Sequence, residues 1–129
     1  KKVKKIIGVE LIEQAIEDAI KNAAINHIEH AHFFAGDVIK ICDDAIYETH
    51  GRPDVVITDP PRAGMHEKLV NKLLEIAAPK IVYVSCNTAT QARDIALLSI
   101  KYRLEKIQPV DMFPHTHHIE SVALLILKN

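Results

Sequence analysis

What this chain lacks narrows its function before any motif is considered. Among its 129 residues only Gly8, Gly36, Gly51 and Gly64 are glycines and no G-x-G occurs, so a dehydrogenase reading, which needs a glycine-rich phosphate turn, has no direct support. Two cysteines, Cys42 and Cys86, cannot build a disulfide framework or the four-thiolate nest of an iron–sulfur cluster; each is to be weighed as a reactive thiol or as core filler. Long apolar runs are missing too. The longest, residues 122–127, falls far short of the roughly 20 residues a membrane-spanning helix needs, and no signal-peptide segment opens the chain. A soluble, untargeted cytoplasmic protein that does not engage a membrane is expected. No sign of charge predominates: 16 Lys and Arg stand against 17 Asp and Glu, a net charge of -1. Bulk electrostatics therefore cannot hold a long nucleic acid, and any RNA role needs a local patch or a second domain outside this chain.

What remains is ordinary for a globular domain, 48% hydrophobic and 26% charged, and one domain over residues 1–129 is expected. The chain opens at Lys1 on a strand-like segment without a methionine, as a piece of a longer protein would. Residues 4–10 have strand length, and residues 11–24 recur in a helical pattern with Leu11, Ala15, Ile16, Ala19, Ile20 and Ala23 on one side. Residues 31–35 make a second strand candidate, followed by a short helix over 38–47. Gly51-Arg52-Pro53 punctuates the chain before Val55-Val56-Ile57-Thr58, a β-branched run of the kind buried on both faces of a parallel sheet. Residues 67–78 are amphipathic and helical, with Pro79 as the stop. Residues 81–85 are strand-like, and Thr88-x-x-Gln91 has the spacing of a capping box. Residues 103–110 and 119–127 read as two strands whose connection is too short for a parallel crossover. The sum is an α/β fold with a mostly parallel sheet ending in an antiparallel hairpin.

Ligands of open α/β sheets bind beyond the carboxyl ends of the strands, so the residues that close each strand carry the functional information. Here they are Glu10, Asp37, Asp59 and Cys86, and a final antiparallel strand brings Glu120 to the same rim. Glu10 stands where doubly wound nucleotide-binding folds keep an acid for ribose hydroxyls; a solvated strand-end carboxylate is the plain alternative. Asp59-Pro60-Pro61 is a stiff strand exit, because each proline fixes φ and removes a donor. Arg62 beside it can grip a phosphate or carboxylate through two parallel hydrogen bonds. Cys86 lies between a strand and a capped helix whose positive end favours negative charge on sulfur, although buried inert cysteines are common. Cys42, flanked by Asp43 and Asp44, reads as core. His115, His117 and His118 lie near Glu120, but no second cluster has the ligand spacing of a structural zinc site, and no metal is expected. His27, His30 and His32 read as surface residues.

Taken together, Gly8-Val9-Glu10, Gly36-Asp37, Asp59-Pro60-Pro61-Arg62-Ala63-Gly64, Val84-Ser85-Cys86-Asn87 and Phe113-Pro114-His115-Thr116-His117-His118-Ile119-Glu120 closely resemble the RNA (uracil-5-)-methyltransferase family. The match covers nearly the whole chain, and within the family the ribosomal-RNA uracil enzymes look closer than the transfer-RNA ones. The resemblance implies a Rossmann-like methyltransferase fold, S-adenosylmethionine as methyl donor and a uracil base in RNA as acceptor. Carried over, Glu10 binds the cofactor ribose, Asp37 sits by its adenine and Asp59 faces its amino-acid end. Arg62 meets the substrate, Cys86 is the nucleophile and Glu120 the general base.

The departures matter as well. The family's first strand and glycine-rich cofactor loop precede the position of Glu10, and this chain begins after them. The N-terminal RNA-binding domain, which in many members holds an iron–sulfur cluster, is likewise not in this sequence. A truncated catalytic domain that keeps its catalytic pair and binds cofactor weakly or not at all is the expectation, with RNA engaged mainly through domains absent from this chain. Thr88 replaces the proline that often follows Cys-Asn. Two rival readings remain: an amino-group methyltransferase, which also uses a P-P turn but generally places an aromatic residue where Arg62 stands, and a non-catalytic α/β interaction module.

Overall fold

A computed structural model of the chain describes residues 3–129; Lys1 and Lys2, where the chain opens, lie outside the described residues. Two compact units divide between Gly51 and Arg52, at the punctuation the sequence places there.

The first unit contains β1 (Ile6–Glu10), α1 (Glu13–Ile25), β2 (Ala31–Ala35), α2 (Val38–Ile41) and α3 (Asp44–His50). β1 and β2 pair in parallel, with Ile6 opposite Ala31 and Glu10 opposite Ala35. The helix expected over residues 38–47 is two helices. The Asp43 side chain accepts from Ile46 N at 3.1 Å and so starts a second one. The helix expected from residue 11 begins at Glu13, leaving Leu11 before it and exposed; of the apolar stripe on α1, Ile16 is buried while Ile20 stands exposed. A two-stranded sheet is too narrow to cover a whole helical stripe.

The second unit contains β3 (Val55–Thr58), α4 (Glu67–Ile76), β4 (Lys80–Ser85), α5 (Thr88–Leu98), β5 (Tyr102–Val110) and β6 (Glu120–Leu127). Its sheet has the order β3-β4-β6-β5, parallel between β3 and β4 and antiparallel on both sides of β6. Three of its strands therefore run one way and β6 alone runs back. The core lies here: Ile81, Tyr83, Ala123 and Leu125 from the sheet meet Val70, Leu73 and Ile76 of α4 and Leu98 of α5, all buried. Each such aliphatic side chain contributes about 1.5–3 kcal/mol on burial.

Three sequence expectations are corrected in this unit. Val55 and Ile57 are 46% and 72% exposed rather than buried on both faces, because β3 is an edge strand paired only with β4. α4 ends at Ala77, which takes a left-handed conformation (φ 49°), two residues before Pro79. The cap of α5 is Asn87, whose side chain accepts from Ala89 N and Thr90 N, so Thr88 and Gln91 form no capping box.

Candidate active site

In the first unit the parallel register brings Glu10 and the segment Gly36-Asp37 to one edge: Glu10 is the last residue of β1, opposite Ala35, and its carbonyl accepts from Gly36 N at 2.8 Å. Each carboxylate is partly spent on its own loop. Glu10 Oε1 accepts from Ile12 N at 3.0 Å and Asp37 Oδ1 from Ile39 N at 2.9 Å, which caps α2. Such bonds fix the direction of each carboxylate.

In the second unit the strand ends gather the rest. Asp59 follows Thr58 at the end of β3, and Cys86 follows Ser85 at the end of β4. β6 runs the other way, so its first residue, Glu120, lies at the same rim. The last rung between β4 and β6 is Ser85 opposite Ser121; one step further in that register sets Cys86 opposite Glu120. Both residues are half-buried, while their flanking serines are fully buried on the other face.

The turn at Cys86 is tied by its neighbour. Ser85 Oγ accepts from Asn87 N at 3.1 Å and donates to Asn87 O at 3.0 Å, bracketing the cysteine. Asn87 also donates from Nδ2 to the Arg62 carbonyl at 3.2 Å, and Thr90 Oγ1 donates to the same oxygen at 3.2 Å. The proline exit and the cysteine turn are thus one piece of structure, with the Arg62 side chain exposed beside it.

Below that piece sits a polar knot that sequence reading did not single out. Asp94, wholly buried, accepts from Met65 N at 2.7 Å and the Tyr83 hydroxyl at 2.8 Å through Oδ2, and from Arg93 through Oδ1. Burial first, and then the Asp94 carboxylate, hold the Tyr83 phenol well above its ordinary range, so it stays a donor throughout the working pH. Gly64 is required here: at φ +81° its Cβ would lie 2.6 Å from Arg93 Nη2 and 2.7 Å from Asp94 Oδ2. Gln91, Asp94 and Leu98 fall on one face of α5, and that face is buried. Asp94→Ala leaves two buried donors without partners and is expected to cost about 3 kcal/mol, read by urea unfolding. The half-exposed Arg93 adds little to that figure. A cost below about 1 kcal/mol would show that water replaces the carboxylate.

His117 and His118 stack with ring centroids 4.3 Å apart, and among the described residues no group of three or more His, Cys, Asp or Glu side chains is placed to hold a metal ion. Cys42 lies at the end of α2, half-buried, with its carbonyl accepting from the Tyr47 hydroxyl at 3.3 Å. An open groove of about 690 Å³ between α4 and α5, lined by Gly64, Met65, Val70, Leu74 and Leu97, contains none of the candidate residues. Among the described residues no helix is long and apolar enough to cross a membrane.

A family profile described as tRNA (uracil-5-)-methyltransferase matches residues 1–128. An uncharacterized RNA methyltransferase of Bacteroides thetaiotaomicron is 54% identical over 128 residues, 99% of this chain and 28% of the relative. One of Porphyromonas gingivalis is 57% identical over 124 residues, 95% of this chain and 27% of the relative. The chain therefore spans little more than a quarter of the length of these relatives. Among solved structures, the Pyrococcus abyssi tRNA (uracil-54, C5)-methyltransferase in complex with S-adenosyl-L-homocysteine superposes with a TM-score of 0.80 at 40% identity, over 95% of this chain and 29% of that one. The N-methyltransferase NodS of Bradyrhizobium japonicum, also with S-adenosyl-L-homocysteine, gives 0.75 at 12% identity over 98% of this chain and 68% of its own; it shares the fold.

Proposed function

The chain belongs to the tRNA (uracil-5-)-methyltransferase family, an RNA methyltransferase family, and from that premise we propose that it carries the catalytic pair that methylates C5 of a uridine in RNA, with Cys86 as nucleophile and Glu120 as general base. The observation that carries the reading is the last β4–β6 rung, Ser85 opposite Ser121, whose adjoining residues are Cys86 and Glu120 at the strand-end rim. The enzymes of this family depend on S-adenosylmethionine, which supplies an electrophilic methyl group when bound. The residue types present suit its parts separately: Glu10 and Asp37, in the first unit, are carboxylate acceptors for ribose hydroxyls and the adenine amino group, and Asp59, which follows β3 in the second, is one for the amino-acid end.

The need for two groups follows from the chemistry of uracil, whose C5 is a poor nucleophile. Addition of the Cys86 thiolate to C6 forms a C–S bond and moves the C5=C6 electron pair toward C5 and O4, making C5 reactive. Once C5 carries the methyl carbon, the Glu120 carboxylate takes its proton. The freed C–H pair restores the double bond and the sulfur leaves as thiolate. The base has to be unstacked or flipped out to reach both groups, and Arg62 at the rim suits an adjacent phosphate.

In this reading residues 1–129 are part of one catalytic domain whose product is 5-methyluridine. It acts in the cytoplasm and engages RNA mainly through regions outside this chain. The motif set favours ribosomal RNA as acceptor, and offering ribosomal and transfer RNA side by side in a methylation assay decides between them. The reading as a whole is tested by trapping. RNA carrying 5-fluorouridine, incubated with cofactor and the natural protein, has no C5 proton to lose and is expected to leave a covalent adduct that survives denaturing electrophoresis. Cys86→Ala abolishes it; an adduct that persists in this variant refutes the assignment.

A further inference from the structure

Nucleophile and base act one after the other on neighbouring carbons of a single ring, so their separation has to be held throughout the reaction. Cys86 is pinned by the Ser85 bracket and the cap of α5. Glu120 is reached from a different direction. It follows residues 111–119, of which all but the half-buried His118 are exposed, so the preceding loop is a poor anchor. Its strand pairs supply part of the hold, through Val110 on β5 and the Ser85–Ser121 rung on β4.

The remainder comes from Gln91. This side chain, 1% exposed on the inward face of α5, donates both hydrogens of its amide: Nε2 lies 2.9 Å from the Tyr83 carbonyl on β4 and 3.0 Å from the Ser121 carbonyl on β6. The helix that carries it starts two residues after Cys86, and the carbonyl it grips on β6 belongs to the residue after Glu120. One amide therefore joins the helix behind the nucleophile to both strands of the catalytic pair.

We infer that Gln91 is a positioning residue that sets the spacing between Cys86 and Glu120, and so governs how efficiently the methylated adduct is resolved. The inference rests on the proposed roles of those two residues. A helix-facing glutamine serving only the fold would stabilise the protein without favouring one chemical step over another. A spacing role separates the steps, because thiolate addition needs Cys86 alone whereas loss of the C5 proton needs Glu120 in reach of the same ring.

The test uses the natural protein and RNA labelled with tritium at C5 of uridine, with methyl incorporation and tritium release followed in parallel. In Gln91→Met, of similar length but without donors, covalent trapping by 5-fluorouridine RNA is expected to fall by no more than about threefold, while tritium release per methyl group incorporated falls at least about tenfold, the scale on which a displaced general base is felt. Methylated adduct then accumulates on ordinary RNA. Gln91→Asn keeps both donors one methylene further back and is expected to show the same separation in smaller measure. Equal loss of both signals in these variants, an unchanged ratio, or a failure of both variants to fold overturns the inference, since Gln91 would then hold the fold and not the spacing. Wild-type protein that forms no adduct at all sinks the underlying assignment instead, so the two failures are distinguishable.

Discussion

Cys86→Ala in the natural protein is expected to lower methyl incorporation into RNA by about 10⁴-fold or more, the scale on which loss of a covalent nucleophile is felt elsewhere. The reason is that no other group at this rim can add to C6. Asp59 and Glu120, the other candidate groups there, are carboxylates, too weakly nucleophilic toward an uncharged pyrimidine. The loss should fall on kcat, with RNA binding little changed. Cys86 is half-buried on a turn held by its neighbours' hydrogen bonds, so the variant should unfold within about 1 kcal/mol of wild type. Steady-state methylation with a parallel denaturation curve checks both parts. Residual activity within about tenfold of wild type would mean that methylation proceeds without the sulfur.

Glu120→Gln is expected to have a different signature. The substitution keeps length and shape but removes the basic oxygen pair, so addition of Cys86 and methylation at C5 still occur while the proton at C5 stays in place. Release of free methylated RNA should fall by roughly 10²–10⁴-fold, the usual share of a general base. An adduct should build up on ordinary RNA with no fluorine needed to arrest it. Denaturing gels over a time course read this directly. Free product at the wild-type rate would assign the base to another group.

The fold was largely legible from residue periodicity because each strand and helix announces itself within a short window. The runs at residues 31–35 and 81–85, and the two final strands, lie within a residue or so of where apolar alternation put them. What was not legible depends on which neighbour an element meets. Val55 and Ile57 carry the residue types of a doubly buried strand, yet β3 pairs with β4 alone. The stripe on α1 is helical and apolar, yet only Ile16 is fully buried, Ala19 and Ala23 are half-buried and Ile20 is exposed. Cys86 and Glu120 could be suspected from their places at strand ends; that they adjoin the same last rung depends on β6 inserting between β4 and β5, a pairing no local pattern encodes. Gln91 was misread for a related reason. T-x-x-Q spacing suits a capping box, but Asn87 takes the cap and frees the glutamine to face the sheet. Asp94 escaped notice because a charged residue on a helix is ordinarily solvated, and only the fold reveals the Tyr83 hydroxyl and Met65 amide that it satisfies.

The most direct measurement is peptide mapping by mass spectrometry of the adduct that Glu120→Gln forms with unmodified RNA. The account predicts one peptide, that bearing Cys86, carrying a nucleotide whose mass includes the added methyl group. A nucleotide attached to any other residue, or methylated RNA with no attached peptide, would contradict it.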